Sequence, residues 1–423
     1  MVAGGRVPLI MQTNLSPEYQ GTPDGIAAEA ILRKCVHCGF CTATCPTYQL
    51  LGDELDGPRG RIYLMKQVLE GAEPTRATQL HLDRCLTCRN CESTCPSGVD
   101  YGHLVDIGRK LVDAKVPRPA GERAVRWALK EGLPSAGFAP AMRVGQAVRG
   151  LLPGKLRAKV PERRPPGAWP QRRHARKVLL PEGCVQPSMA PGIDRATARV
   201  LDAVGITAVR VPAGGCCGAV KFHLNDQDAA KVQMRANIDA WWPYVRGEGD
   251  TAVEAIVVNA SGCSVMVKDY GHVLQGDPAY AEKARRVSSL ARDLTELLPQ
   301  IAEGLAPRFA GKKPSGVLAF HPPCTLQHGQ QLRGLVERHM GALGFDVQVA
   351  ASESHLCCGS AGTYSVLQPE IAQQLRDRKL GHLQALAPET IVSANIGCIT
   401  HLQGGCSTPV RHWVEVLDEA LPA

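Results

Sequence analysis

The sequence predicts an α+β to α/β chain, with a helical N-terminal domain followed by a duplicated α/β unit. Three observations carry that expectation. A cysteine run at Cys35–Pro46 recurs 50 residues later at Cys85–Pro96, with helical patterning between the copies. A longer, looser cysteine pattern recurs in the C-terminal half at offsets of 135 to 141 residues. Within each copy of that second pattern, short apolar runs alternate with segments of helical spacing, as in an α/β layer. A length of 423 residues is compatible with roughly three domains.

Composition excludes several classes. With 44% apolar and 21% charged residues the chain is globular rather than disordered. Its longest apolar runs, such as Ala255–Val258, are strand-sized, far below the ~18 residues of a membrane span, so any membrane contact is expected to be peripheral. The net charge of +8 invites nucleic acid, but there are only 6 Phe, 5 Trp and 8 Tyr to stack on bases. Moreover, Gly154–Lys177 alone carries nine Lys/Arg against Glu162, which accounts for the whole excess. That run reads as a solvated linker face, with docking to anionic lipid or an acidic partner as the lesser alternative. No nucleic-acid partner is expected. Met1–Ile10 has a lone Arg6 and no apolar core, unlike a secretory signal. It reads as an upstream-start extension or a short disordered tail. Seventeen cysteines, an odd number in tight clusters, fit metal-bound thiolates in a reducing cytosol better than a disulfide framework.

The first run reads Cys35-Val-His-Cys38-Gly-Phe-Cys41-Thr-Ala-Thr-Cys45-Pro46, and its copy reads Cys85-Leu-Thr-Cys88-Arg-Asn-Cys91-Glu-Ser-Thr-Cys95-Pro96. This C-x2-C-x2-C-x3-C-P spacing is that of bacterial ferredoxins, in which three close thiolates wrap one [4Fe–4S] cluster and the fourth reaches the other cluster of a pair. Cluster one then takes Cys35, Cys38, Cys41 and Cys95, and cluster two takes Cys85, Cys88, Cys91 and Cys45. Four-cysteine zinc sites instead use two separated C-x2-4-C knuckles. Between the runs, Asp56-Gly-Pro-Arg-Gly-Arg61 reads as a turn and Ile62–Leu69 as a helix, the pattern of a helical ferredoxin-type domain. Arg59 and Arg61 are candidates to offset cluster charge and raise its potential, or equally an ordinary surface pair.

In the second duplication, Cys184, Cys216-Cys217-Gly218 and Cys263 match Cys324, Cys357-Cys358-Gly359 and Cys398. Val178–Leu180 and Val317–Phe320 are expected strands; Ile193–Val204 and Gln331–Leu343 are helices stopped by Gly205 and Gly344. Strands over Val209–Val211 and Val347–Val349 lead to the vicinal cysteines. A helix over about Asp228–Val245, or Pro369–Leu386, then precedes a strand over Ala255–Asn259, or Thr390–Asn395, that runs into Gly-Cys. Cysteines from several strand ends can converge on one edge. A vicinal pair followed by Gly suits two thiolates projecting at a tight turn. Cys184, Cys216, Cys217 and Cys263, and likewise Cys324, Cys357, Cys358 and Cys398, offer four sulfurs each to a soft metal or a further iron–sulfur cluster, the bland alternative being buried reduced thiols. His321 and His223 stand near these sites in sequence and read either as hydrogen-bond donors to the ligands or proton carriers, or simply as satisfied polar residues; neither is assigned as a ligand.

Domain organisation follows: a tail over 1–20, a two-cluster domain over 21–110, a connector with a basic, Pro-rich linker and a helical piece near Met142–Leu152 over 111–176, and α/β units over 177–300 and 315–423.

These units resemble the CCG, or cysteine-rich, domain of the heterodisulfide reductases, whose pattern ends in C-x-x-C and can hold a non-cubane [4Fe–4S] cluster. Here the last position is Met266 in one copy and His401 in the other. Gly247-Glu-Gly249-Asp-Thr-Ala252 precedes a strand instead of following one, the wrong order for a dinucleotide-binding turn, and G-x-S-x-G and phosphate-loop motifs are missing. The chain thus reads as a wire for single electrons. With two ferredoxin motifs, two CCG units, Asp-Gly-Pro-Arg-Gly-Arg-Ile62 and Cys-Cys-Gly-Ser-Ala-Gly-Thr363, it is similar over Gln12 to the C-terminus to the iron–sulfur subunits of bacterial glycolate oxidase.

That resemblance implies flavin-binding partner subunits that turn glycolate into glyoxylate, or D-lactate into pyruvate, with flavin on the partners only and quinone or another non-oxygen acceptor. It implies a cytoplasmic location, free or on the cytoplasmic face of the inner membrane. Three rivals remain: the similar iron–sulfur subunit of anaerobic glycerol-3-phosphate dehydrogenase, a subunit that resembles heterodisulfide reductase in thiol/disulfide chemistry, and a non-enzymatic metal-binding protein.

Overall fold

A computed structural model describes residues 11–421 apart from 158, 248, 313 and 315. The expectation for residues 1–10 lies outside the described residues. The chain divides into two compact units, one ending at Ala120 and the other beginning at Gly121.

The N-terminal unit is helical. Helices Pro23–Leu32, Pro58–Leu69 and Tyr101–Lys115 pack their apolar faces into a core that includes Leu32, Met65, Leu69, Leu104 and Val105. Two expectations are corrected here. Residues 11–20 are no tail: Tyr19 is buried, Met11 and Leu15 pack on the core, and the Ser16 amide donates to the Leu69 carbonyl. Pro-Arg-Gly-Arg61 is no turn but the first turn of a helix, because Pro58 opens it at N1, where its missing N–H costs nothing. The helix Tyr101–Lys115 runs through residue 110, where the sequence suggested a boundary.

The C-terminal unit contains two four-stranded parallel sheets. Strands β1 (Arg176–Leu179), β2 (Ile206–Val209), β3 (Ala255–Val258) and β4 (Ala291–Asp293) run in the order β2-β1-β3-β4. Strands β5 (Val317–Phe320), β6 (Asp346–Val349), β7 (Thr390–Ser393) and β8 (Val410–His412) repeat it as β6-β5-β7-β8. Equivalent registers, Leu179 with Val209 and Phe320 with Val349, show that the duplication extends to backbone pairing. β4 and β8 are three residues long, too short to carry a period-2 signal, and the sequence gives no sign of them.

β2 begins three residues earlier than expected, directly after Gly205 at φ 76°. The helix expected over Gln331–Leu343 forms only over Leu335–Ala342, after Gly334 in the left-handed region. Near Met142–Leu152 the chain is helical over Phe138–Ala147 and a short 3-10 turn over Arg149–Leu151. The two halves share one apolar core that includes Val178, Leu201, Phe320, Ile391 and Trp413. Among the described residues no helix is long and apolar enough to cross a membrane.

Candidate metal centres

The ferredoxin-type loops reproduce one another in backbone as well as in sequence. In the first, His37 and Gly39 have φ of 53° and 83°; in the second, Thr87 and Arg89 have φ of 50° and 59°. Three of these four are not glycine, so the conformation is held against its ordinary cost, on the order of 1–3 kcal/mol per residue. Alternation of this kind turns successive amides into a concave, anion-accepting surface, the environment a cluster of thiolate-bound iron requires. The Cys85 loop is pinned from outside. Buried Arg109 donates to the Leu82 carbonyl and the Thr87 hydroxyl, at 3.0 and 2.9 Å. The Thr87 amide donates to Cys85 Sγ at 3.4 Å and the Tyr101 hydroxyl to the same sulfur at 3.6 Å.

Cys35, Cys38, Cys41 and Cys95 line one cavity, together with Pro58, Arg59 and Ile62. Burial pushes the Cys41 thiol up to about 11, and the neighbouring charges of Cys35, Cys38 and Cys95 push the same way. Cys91, which also borders that cavity, has its thiol raised first by burial and then by Cys88, Cys85 and Cys45. The charge neighbourhoods are therefore crossed: the fourth cysteine of each run lies among the first three of the other. Asn90 Nδ2 donating to the Thr44 carbonyl at 2.9 Å, and Thr94 Oγ1 meeting Thr44 Oγ1 at 3.2 Å, tie the two runs together. Eight soft donors in two convergent sets, with Cys35, Cys45, Cys85 and Cys91 buried, fit iron–sulfur clusters in number and in chemistry.

The two arginines part company. Arg59 is 38% exposed, pairs with Glu54 at 2.7 Å and flanks the first cavity. Arg61 is only 1% exposed: it donates to the His81 carbonyl and to Thr47 Oγ1, which in turn meets Cys45 Sγ at 3.3 Å. Burial opposes the Arg61 charge, but Cys85, Tyr101, Cys45 and Asp56 hold it firmly protonated. The surface-pair alternative is thus wrong for Arg61. Asp53, Asp56 and His81 also lie close together, but Asp56 is neutralised by Arg84 at 2.8 Å and by Arg61.

In the C-terminal unit every strand is parallel, so the carboxyl ends of the strands within each sheet share one edge, where α/β sheets place their sites. Cys184, Cys217 and Cys263 line a cavity there, with Trp241 and Ile396. Gly218 at φ 92° and Gly359 at φ 87° make the turns after the vicinal pairs, and a Cβ on Gly359 would meet the Ala372 carbonyl oxygen at 2.4 Å. The Cys216-Cys217 turn hangs on two buried side chains: Asn237 Nδ2 donates to the Cys216 carbonyl at 2.8 Å, and the Tyr270 hydroxyl to that of Cys217 at 2.9 Å. The Cys184 and Cys217 thiols, with the Gly218 and Val220 amides, hold the Cys216 thiol well below its ordinary value, while Cys184 and Cys217 themselves are raised.

In the second copy Cys324 Sγ lies 3.8 Å from Cys357 Sγ, and all four cysteines are buried. Lys379, 2% exposed, donates to the Ser354 carbonyl at 3.3 Å; burial lowers its pKa against the opposing charges of Cys358 and Cys357.

The residues standing where the family pattern has its last cysteine behave differently from a ligand. Met266 is buried in the apolar core cluster that also includes Val267 and Trp241. His401 Nε2 donates to the Ala372 carbonyl at 3.0 Å. Sequence reasoning left one residue unassigned that the fold brings in: a ring nitrogen of His321 lies within 4.8 Å of the sulfurs of Cys358 and Cys398, and those within 4.8 Å of each other. The only signal was its position three residues before Cys324. His223 ends the short helix Ala219–His223, edge-on to Phe222.

Comparison with known proteins fits this geometry. Residues 31–99 match the 4Fe-4S dicluster domain, and residues 178–268 and 318–403 each match the Cysteine-rich domain; the N-terminal unit thus carries two [4Fe–4S] clusters. The glycolate oxidase iron-sulfur subunit of Escherichia coli is 54% identical over 97% of this chain and 99% of its own length. The probable glycolate oxidase iron-sulfur subunit of Bacillus subtilis is 30% identical over 93% and 94%. Lactate utilization protein A of Geobacillus thermodenitrificans is 28% identical over 57% of this chain and 98% of its own. By sequence and by domain content, the chain belongs to the family of glycolate oxidase iron–sulfur subunits.

Proposed function

We propose that this chain is the electron-transfer subunit of an oxidoreductase complex in which flavin-binding partner subunits oxidise glycolate to glyoxylate, with quinone or another non-oxygen acceptor beyond it. The observation that carries the reading is the crossed gathering of eight cysteines in a chain 54% identical to a glycolate oxidase iron-sulfur subunit. Cys35, Cys38, Cys41 and Cys95 hold one cluster; Cys85, Cys88, Cys91 and Cys45 hold the other. Bound there, the clusters supply one-electron steps, the counterpart of a flavin that accepts two electrons and releases them singly.

The chain's own residues set the conditions for those steps. Arg61 and Arg109 keep positive charge and donors beside the Cys85 loop, Tyr101 donates to a ligand sulfur, and the core around Met65 and Leu104 excludes water from one side. The substrate binds the flavoprotein, and no residue of this chain is catalytic. D-lactate is the second substrate to try, since a relative is named for lactate utilization. We assign the chain to the cytoplasm, free or in peripheral contact with the inner membrane.

The test is co-purification with the flavoprotein subunits under anaerobic conditions. Glycolate-dependent dye reduction is expected, and it is expected to vanish in Cys95→Ser while glycolate still bleaches the flavin. Cys95→Ser and Cys35→Ser should remove the same low-temperature EPR signal, and Cys45→Ser and Cys85→Ser the other. Cys95→Ser grouping with Cys85→Ser would overturn the crossed ligand sets; a complex that ignores both glycolate and D-lactate would overturn the reaction.

A further inference from the structure

His321 follows β5 and is 1% exposed. Its Nδ1 lies 3.0 Å from Ser393 Oγ, and that hydroxyl donates its single proton to the His321 carbonyl, also at 3.0 Å. A hydroxyl whose proton is committed can only accept. The hydrogen between the two side chains therefore belongs to Nδ1, and Nε2 carries a bare lone pair. Nε2 is buried and has no hydrogen-bond partner. A buried acceptor left unsatisfied is destabilising, and the atoms grouped with this imidazole are the sulfurs of Cys358 and Cys398. Nδ1–H held by an oxygen with Nε2 free is the arrangement that orients a metal-binding histidine.

Spacing separates a single ion from a cluster. Zinc–sulfur bonds of about 2.3 Å and zinc–nitrogen bonds of about 2.0 Å put neighbouring ligand atoms of a tetrahedron roughly 3.5–3.8 Å apart. The His321, Cys358 and Cys398 ligand atoms all lie within 4.8 Å of one another. Sulfurs at the corners of a cubane, each on a different iron, sit wider.

We propose that His321 Nε2, Cys358 Sγ and Cys398 Sγ bind one divalent, zinc-type ion in the second cysteine-rich unit, with a water or a further thiol in the fourth position. The nitrogen ligand comes from the end of β5, and His401 plays no part. Ser393 is a positioning residue, since it sets the tautomer without touching the ion.

The test uses the full chain, purified anaerobically, equilibrated with Zn2+ and freed of loose metal. About one tightly held zinc per chain is expected, with a mixed sulfur and nitrogen shell in zinc X-ray absorption. His321→Ala should lose that zinc while keeping its iron, and His401→Ala should keep both. Ser393→Ala retains all ligands and should bind zinc 10–100-fold more weakly, so the idea stays testable even if His321→Ala folds poorly. Zinc retained by His321→Ala with an unchanged shell, an all-sulfur shell in the parent chain, or no zinc with extra iron in the second unit would each overturn it. Because iron in the N-terminal unit is counted separately, failure here is distinguishable from failure of the two-cluster reading.

Discussion

The two cysteine-rich halves share strand order, register and a Cys-Cys-Gly turn, yet their cysteine-bearing edges differ. In the first half Cys184 and Cys263 are partly exposed around an open cavity floored by Trp241. In the second all four sulfurs are buried, with an imidazole among them and a buried lysine beside them. A duplicated fold preserves what the backbone needs, the parallel ladder and the glycine turn. What stands on the sheet edge is free to diverge, because side chains at strand ends support no neighbouring strand.

The largest effect that should sharpen this contrast is at the glycine turns. Gly359→Ala would push a Cβ into backbone at 2.4 Å, whereas at Gly218 the nearest atoms are the Ala230 carbonyl oxygen and the flexible Met234 side chain, each at 3.2 Å. Both positions have positive φ. Loss of about 4 kcal/mol is expected for Gly359→Ala and about 1–2 kcal/mol for Gly218→Ala, read from denaturant unfolding. Equal losses would mean that the two turns are equally constrained.

Next is an acid that the first half buries. Asp194 accepts from Gln186 and Asn259, at 2.8 and 2.9 Å, and burial raises it to about 6 from an ordinary 3.8. Its folded value is the higher one, so the folded protein holds a proton that the unfolded chain releases. Stability is therefore lost as pH rises from about 4 to 6, by up to about 3 kcal/mol. Asp194→Asn keeps the acceptor and should flatten the pH dependence of unfolding between about pH 4 and 6; an unchanged slope would contradict this assignment.

The smallest effect is chemical. In chain stripped of metal, a thiol-alkylating reagent should label Cys184 and Cys263 roughly tenfold faster than Cys357 or Cys358, since a reagent must reach the sulfur and only the first pair is partly exposed. Peptide mapping that finds the second half labelled first would break the comparison.

Much of this arrangement is legible in the chain itself. Cysteine spacing announces the two-cluster domain because three ligands within seven residues are a local constraint, independent of the rest of the fold. The strands that flank Cys184 and Cys324 announce themselves because strands buried on both faces need continuous apolar runs. His37, Thr87 and Arg89 carry no comparable mark. Their positive φ is imposed by the loop they close, not by any preference of those residue types. Arg59 and Arg61 look alike two positions apart on paper; the helix beginning at Pro58 turns one toward solvent and the other into the core.

Ligand types, repeat lengths and the order of strands and helices were thus determined by the sequence alone, since each depends on neighbours a few residues apart. Which histidine meets the thiols was decided only by the tertiary structure. His401 stands at the expected spacing, but its helix packs against Pro369–Gln384 and commits it to a carbonyl. His321, 37 residues before Cys358 and 77 before Cys398, is carried to both by the parallel pairing of β5 with β6 and β7. Distance along the chain bears no relation to distance across a sheet, and a metal ligand is chosen by the latter.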